Sequence, residues 1–309
     1  MLIRVLGSAA GRGFPQWNCG CPNCAGVRNG SVRALPRTQE SVAISADGAS
    51  WFMLNASPEV RQQIESFEGL HPRTQRDTPI AGIVLTNGDL DHCLGLLSLR
   101  ESQPLVLYAT PRVRSGFTEG NVLYRTLERF DGQVTWHALQ LAEGEPGPEL
   151  PLLIAGKPSG LTLRAFATPG KAALHLDQSH PEPGDNIGLL IRDERTQKTL
   201  AYIPAAGANS AAVTTAANAA DAVFFDGTFW SSDELIRLGA SERRAEDMAH
   251  WPIGGPEGSL KFLGQLSASR RVLIHINNTN PMLREDSAER AEVHAARVEA
   301  AFDGMELSL

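Results

Sequence analysis

A cluster of ionisable side chains follows the apolar run Ile80–Leu85. Within the sequence TNGDLDHC, Asp89, Asp91 and His92 occupy three of four consecutive positions. The apolar run is typical of a buried strand, and a rigid sheet can aim side chains at the strand end into a cleft. Carboxylates and imidazoles bind divalent metals, so the sequence predicts a metal site here, with Asp89 also a candidate catalytic carboxylate. The alternative is that Asp89 or Asp91 only caps a helix.

Further ligands must come from elsewhere, and His275 is the best candidate because it ends the apolar run RVLIH before the polar turn INNTNP. Two imidazoles and a carboxylate match the facial triad of non-haem iron enzymes, which leaves positions open for oxygen and substrate. The same set suits zinc, and carboxylate-rich sites also accept Mn²⁺ and Mg²⁺. We therefore expect Fe²⁺ or another divalent metal. The other interpretation of His275 is a hydrogen-bonded core residue.

A second cluster consists of Cys19, Cys21 and Cys24 in CGCPNC. Thiolates at this spacing can surround a tetrahedral ion, and the pattern is unsuited to a disulfide framework. We predict a closed, structural zinc site. Three thiols need a fourth donor, and Asn278 or a histidine remain open as that donor.

Two isolated residues are candidates for proton chemistry. His250 lies among small and apolar residues in MAHWPIGG and could act as a proton donor or an orienting group. The alternative is a loop histidine bonded to the backbone. Asp226, after the run AVFF, has a similar status.

Charge and hydropathy exclude several classes of protein. The formal net charge of −7 argues against nucleic acid as a main partner, because phosphate binding requires clustered Lys and Arg. No apolar run approaches the roughly 18 residues of a transmembrane helix, so no membrane span is expected. The N-terminus lacks the apolar core of a signal peptide, and we expect a cytoplasmic protein.

The elements that would position these residues alternate between strands and helices. Ser57 is a candidate N-cap of a short helix, and a helix is expected over Ser287–Phe302 because apolar residues recur there at steps of three or four. We predict a single α/β domain spanning residues 1–309. Besides Ile80–Leu85, the expected strands are Leu2–Leu6, Ser41–Ser45, Trp51–Leu54, Leu105–Tyr108, Gln133–His137, Leu161–Phe166, Ile187–Ile191, Thr199–Ile203, Ala222–Phe225 and Val272–His275.

The combination of several motifs resembles one known family over essentially the whole chain. The motifs are GSAAGRGFPQWNCGC, TNGDLDHCLGLLSLRE, DGTFW, AHWPIGG, HINNTNP and DGMEL. They are similar to the coenzyme PQQ synthesis protein B family of the metallo-β-lactamase superfamily. One departure is Ala249, where the family is expected to have Gly. The resemblance implies a four-layer αβ/βα sandwich with a metal at the edge of the β layers. It also implies a role in making pyrroloquinoline quinone (PQQ) from a Glu and a Tyr of a small precursor peptide, together with the other proteins of that pathway.

The sequence departs from the hydrolytic members of the superfamily at their metal ligands. Against the motif His-x-His-x-Asp-His, this chain has Asn87 and Asp89 at the two leading His positions. The bridging Asp of those relatives is expected where Ala205 and Ala206 stand. A two-metal hydrolytic centre is therefore disfavoured, and one metal with open positions suits oxygen activation better.

Three functions remain open at this point. The first is a metal-dependent, iron-using oxygenase that hydroxylates the tyrosine ring of the Glu-Tyr-derived precursor. The second is a binding protein that carries PQQ or its precursor towards the periplasm, in which case the chain is not an enzyme. The third is a metal-dependent hydrolase. The state of assembly is open between a monomer and a homodimer.

Overall fold

A computed structural model describes residues 1–101, 103–176 and 180–309. Fourteen strands lie in this part of the chain: β1 (Leu2–Gly7), β2 (Ser41–Ser45), β3 (Trp51–Leu54), β4 (Ile80–Val84), β5 (Leu105–Ala109), β6 (Val134–Ala138), β7 (Leu150–Ile154), β8 (Lys157–Ala167), β9 (Ile187–Asp193), β10 (Thr199–Ile203), β11 (Ala222–Asp226), β12 (Arg270–Ile274), β13 (Glu299–Ala300) and β14 (Glu306–Ser308). They form two seven-stranded sheets, in the orders β14-β1-β2-β3-β4-β5-β6 and β13-β12-β11-β10-β9-β8-β7.

The α-helices of the described residues connect or flank these strands. They are α1 (Pro22–Asn29), α2 (Val60–Glu65), α3 (Leu90–Cys93), α4 (Pro111–Thr118), α5 (Ala211–Asn218), α6 (Glu234–Arg237), α7 (Ser259–Gln265) and α8 (Ala288–Ala295). Short 3-10 turns cover Glu68–Leu70, Leu94–Leu99, Val122–Leu127, Pro183–Asp185, Glu246–Met248 and Pro281–Leu283. None of the described helices has the length and apolar character needed to cross a bilayer.

The main core lies between the two sheets. Alternate residues of each strand face inward, such as Phe52 and Leu54 of β3 and Leu189 and Ile191 of β9. The outer face of the first sheet packs against α2 and α4, and that of the second against α5, α7 and α8. The resulting order of layers is helix, sheet, sheet, helix, and the predicted fold class is confirmed.

The loop after β1 joins the two sheets at one end of the sandwich. The Ala10 N–H donates to the carbonyl of Ile276 (2.9 Å), and the Ile276 N–H donates to the carbonyl of Ser8 (2.9 Å). This pairing holds the end of β12, in the second sheet, beside the first sheet. The segments that follow β4 and β12 are thereby brought to the same place.

Two local predictions are wrong. The predicted helix Ser287–Phe302 ends at Ala295, because Arg297 adopts a left-handed backbone (φ 57°) and the chain then pairs as β13 with β12. Ser57 does not cap α2. Its hydroxyl donates to Oε1 of Gln63 (3.0 Å), and Glu59 occupies the cap position without a side-chain bond.

Candidate metal centre

The loop after β4 is held by side-chain amides. Thr86 donates to Oδ1 of Asn55 through its N–H (2.9 Å) and its hydroxyl (3.0 Å). Oδ1 of Asn87 accepts from the Asp89 N–H (3.0 Å), and its Nδ2 donates to Asn186 (3.2 Å). Asn87, which stands at a ligand position of the hydrolytic relatives, therefore braces the loop. Asp89 precedes α3 but its carboxylate makes no capping bond, so the capping alternative is not supported for Asp89.

Three predicted ligands converge on one point. One donor atom each from Asp91, His92 and His275 lies within 4.8 Å of the other two. Oδ2 of Asp91 is 3.2 Å from the His275 nitrogen and 3.7 Å from the His92 nitrogen. Nε2 of His92 is buried and, within the described residues, has no hydrogen-bond partner. Because a buried polar atom without a partner is costly, this nitrogen fits a bound cation.

Two hydroxyl groups set the tautomers of the imidazoles. The Thr86 hydroxyl, donating to Asn55, can only accept from Nδ1 of His92 (3.3 Å). The Thr228 hydroxyl donates to Oδ1 of Asp226 (2.6 Å) and accepts from Nδ1 of His275 (2.8 Å). With Nδ1 of both rings donating to a hydroxyl group, Nε2 is the atom that each imidazole turns towards the cluster.

A second group of donors shares His275. Nδ1 of His250 lies 2.7 Å from Oδ2 of the fully buried Asp226, and the rings of His250 and His275 are stacked with centroids 5.4 Å apart. The N–H groups of Ala206 (3.0 Å) and Thr228 (2.9 Å) also donate to the Asp226 carboxylate. His250 therefore binds a carboxylate, and the alternative of a purely backbone-bonded loop histidine is wrong.

Burial and neighbouring charges shift the pKa values of the clustered residues in different directions. Burial opposes ionisation of Asp91, but the imidazoles of His92 and His275 outweigh it and hold its pKa well below the usual range. Burial lowers the pKa of His92 to about 4. Burial also acts on His275, yet its hydrogen bond to Asp91 and that charge raise its pKa to about 9. The arrangement keeps one carboxylate ionised and His92 neutral, which is the state required of metal ligands.

Glu40 is a residue of this centre that the sequence did not indicate. It is 0% exposed, its Oε2 lies 3.5 Å from Nε2 of His92, and it accepts from Nδ2 of Asn55 (2.8 Å). Burial raises its pKa to about 8. Its position directly before the predicted strand Ser41–Ser45 is the one feature that the sequence offers.

The centre opens into a cleft of about 740 Å³. Asp89 and Asp91 line it, together with His250 and His275. Burial and the neighbouring Asp91 charge raise the pKa of Asp89. Asp89 thus faces the same cleft, although its carboxylate is outside the group of three converging donors.

The three clustered cysteines meet as a second donor group. The Sγ atoms of Cys19, Cys21 and Cys24 lie within 4.8 Å of one another beside the start of α1. The side-chain amide of Asn278 lies 3.2, 3.7 and 3.3 Å from these sulfurs, in that order. Cys93 is buried elsewhere, where its thiol contacts the carbonyl of Gly88 (3.4 Å).

Comparison with known proteins gives one consistent relationship. A family model described as a β-lactamase superfamily domain matches residues 50–276. Coenzyme PQQ synthesis protein B of Pseudomonas protegens is 44% identical over 100% of both chains, and that of an Azoarcus species is 48% identical over 100% of both. The crystal structure of Zn²⁺-bound PqqB from Methylobacterium extorquens has a TM-score of 0.90 with 39% identity, and the match covers 100% of both chains.

Proposed function

The chain belongs to the coenzyme PQQ synthesis protein B family and acts in PQQ biosynthesis, and we propose that it is the iron-dependent oxygenase hydroxylating the tyrosine ring of the Glu-Tyr-derived precursor. The observation behind this proposal is the convergence of one carboxylate and two imidazoles, from Asp91, His92 and His275, at the base of an open cleft. Such a donor set leaves positions for oxygen and substrate.

The contacts of two other residues, Asn87 and Ala206, argue against a two-metal hydrolase. Asn87 is engaged with Asn186 and the Asp89 N–H, and Ala206 offers only its backbone, which binds Asp226. One metal would be held by Asp91, His92 and His275, with Asp89 as a further oxygen donor or catalytic carboxylate on the cleft side. Bound iron would supply the activation of O₂, which protein side chains alone do not provide. Hydroxylation puts one oxygen atom of O₂ on the ring and reduces the other to water, so an external two-electron reductant would take part in each turnover.

The protein's own contribution to the reaction is proton handling and orientation. Asp226 fixes His250 through Nδ1, which leaves Nε2 of His250 as the basic atom on a residue that lines the cleft. Burial opposes ionisation of Asp226, but the His250 charge and hydrogen bond outweigh it and lower its pKa. The Asp226 carboxylate therefore stays charged and stabilises an imidazolium. In this proposal His250 accepts the phenolic proton of the substrate.

The cysteine cluster serves as the structural zinc site. Zinc–thiolate bonds of about 2.3 Å place the sulfurs of a tetrahedral site roughly 3.8 Å apart, in keeping with the observed convergence. The oxygen and nitrogen of an amide are exchanged by a 180° rotation of its side chain. Rotating the Asn278 amide would turn its oxygen towards the ion as the fourth donor.

The test is oxygen consumption by purified protein loaded separately with Fe²⁺ and Zn²⁺, in the presence of the cross-linked Glu-Tyr substrate and ascorbate as the two-electron reductant. The proposal expects consumption and a hydroxylated product with iron only. PQQ binding that survives His92→Ala and Asp91→Ala, without any turnover, would instead identify a carrier.

A further inference from the structure

Three basic residues line the metal cleft: Arg12, Lys171 and Arg243. They come from three separate segments of the chain. Within the described residues, none of their side chains has a close ion-pair or hydrogen-bond partner. They share this concavity with the carboxylates of Asp89 and Asp91, in a protein of net charge −7. Cations that line a cleft without a close ion-pair partner are available to bind an anionic ligand.

Arg12 is fixed relative to the metal centre by its backbone. Its N–H donates to Oε1 of Gln39 (2.9 Å), and Nε2 of Gln39 binds both carboxylate oxygens of Glu59 (2.9 and 2.8 Å). Arg12 has a left-handed backbone (φ 78°), which is uncommon for a residue other than glycine. The preceding Gly11 lies so close to Asp91 that a Cβ atom there would be 3.3 Å from Oδ2.

The backbone of Lys171 is connected to the loop that follows β4. Its carbonyl accepts from Nδ2 of Asn186, and Oδ1 of Asn186 accepts from Asn87 (3.2 Å). One side chain thus connects the backbone of Lys171 to the loop that carries Asp89 and Asp91.

Arg243 is held through the segment that carries His250. The carbonyl of Ala245 accepts from the His250 N–H (3.0 Å), and the Ala245 N–H donates to Ser232 (2.9 Å). Arg243 lies two residues before Ala245, and its own N–H donates to Ser241 (3.1 Å). The backbones of Lys171 and Arg243 are therefore tied to the segments that carry Asp89, Asp91 and His250, and Arg12 follows Gly11, which lies beside Asp91.

We propose that Arg12, Lys171 and Arg243 are substrate-positioning residues that bind carboxylates, and that the ligand of this cleft carries at least two carboxylate groups. This inference rests on the proposed function in one respect: it takes this cleft as the active site. Charged hydrogen bonds from cations to carboxylates would orient the ring over the metal ligands. A peptide-bound precursor, whose α-carboxylates are amides, would lose part of this recognition.

The experiment measures equilibrium binding to the full-length, metal-loaded protein by titration calorimetry. The probes are PQQ, which carries three carboxylates, and its trimethyl ester, which has the same ring system without those charges. The variants are Arg12→Gln, Lys171→Gln and Arg243→Gln. Arg244→Gln is the matched control, since Arg244 adjoins Arg243, is exposed and does not line the cleft.

Each cleft variant is expected to weaken PQQ binding about tenfold, and the ester should bind the unmodified protein at least about tenfold more weakly than PQQ. The control should bind PQQ within about twofold of the unmodified protein. Equal binding of ester and PQQ, or cleft variants that bind like the control, would overturn the inference. Displacement of PQQ by millimolar inorganic phosphate would also overturn it, in favour of a phosphate ligand.

These outcomes are separable from the proposed oxygenase activity. Weakened PQQ binding in the variants supports the proposed role of Arg12, Lys171 and Arg243 even if no hydroxylation is found. Unchanged binding refutes that role even if iron-dependent hydroxylation proceeds. The circular-dichroism melting curve of each variant shows whether it is folded, and exposed Arg12 and Arg243 are expected to tolerate substitution.

Discussion

Nε2 of His275 lies 3.2 Å from Oδ2 of Asp91, although 184 positions separate the two residues in the chain. One residue follows a strand of the first sheet and the other follows a strand of the second. The centre therefore forms only when the two sheets are packed together. A metal bound between them would stabilise this packing by mass action.

Removal of a central ligand should abolish the active-site metal. Asp91→Asn keeps the size of the side chain but removes its charge, and metal affinity is expected to fall by more than about 100-fold. Metal content after dialysis, measured by plasma mass spectrometry, checks this. Asp77→Asn, at an exposed ion pair with Arg73, is the control. Full metal occupancy in Asp91→Asn would contradict the ligand assignment.

Thr228 should affect the metal without touching it. Thr228→Val removes the hydroxyl that accepts from Nδ1 of His275, so the imidazole loses its orienting bond. We expect metal affinity to fall about 10–100-fold, as for other groups that orient a ligand. Competition with a chelating dye measures this affinity. Thr118→Val, on the surface of α4, should leave it unchanged, and an unaffected Thr228→Val protein would refute the orienting role.

His250 should matter for rate and not for metal content. His250→Asn removes the proposed proton acceptor, and hydroxylation should slow by about 100-fold or more. Asp226→Asn should also slow it, because the His250 imidazole loses the carboxylate that fixes its orientation. The matched control is His294→Asn, at an exposed position in α8. Equal rates in His250→Asn and His294→Asn would exclude a catalytic role for His250.

The cysteine cluster should contribute to stability. Cys24→Ser is expected to lose the structural zinc and to lower the melting temperature, because zinc binding at such sites is coupled to folding. Zinc content and thermal unfolding are measured on the same preparation. Cys93→Ala is the control for zinc content alone, since Cys93 lies outside the cluster but is buried. Zinc retained in Cys24→Ser would show that the three thiols do not form the site together.

Glu234 should make stability depend on pH. Burial raises its pKa from 4.5 to about 7, and its hydrogen bonds to Thr279 and the Trp230 N–H offset only part of this. As the pH rises, the unfolded chain releases this proton first, so the free energy of unfolding falls between the two pKa values. The loss is complete above the folded-state pKa and amounts to about 3 kcal/mol.

Glu234→Gln should remove this pH-dependent loss. Urea unfolding at about pH 5 and about pH 8 should show that the variant gains stability relative to the unmodified protein at the higher pH. Glu257→Gln, whose side chain is 93% exposed, should show no such difference. Parallel pH profiles for Glu234→Gln and the unmodified protein would contradict the prediction.

The sequence indicated those parts of the metal centre that are formed by residues close together in the chain. Asp91 and His92 are adjacent after an apolar strand, and Thr199–Ile203 was predicted with the bounds that the structure has. Pairings between distant segments could not be derived. His250 and Asp226 were each noted, but their contact depends on the packing of the loop before Trp251 against the end of β11. Glu40, Lys171 and Arg243 gave no periodic signal, since their positions depend on tertiary contacts.

The end of α8 shows the same limit. A helical spacing of apolar residues continued to Phe302, yet the helix stops because Arg297 adopts a left-handed conformation. Pairing of Glu299–Ala300 with β12 then replaces further helical turns. Arginine is not a residue that typically ends helices in this way, so tertiary contacts overrode the local pattern.

The most direct test of the central claim uses isotopically heavy dioxygen. Iron-loaded protein is mixed anaerobically with the cross-linked Glu-Tyr substrate and ascorbate as the two-electron reductant, the labelled gas is admitted, and the product is analysed by mass spectrometry. The oxygenase assignment requires that the new ring hydroxyl contains the heavy isotope and that Asp91→Asn yields no product. A product whose new oxygen comes from water, or a substrate recovered unchanged from iron-loaded protein, would contradict it.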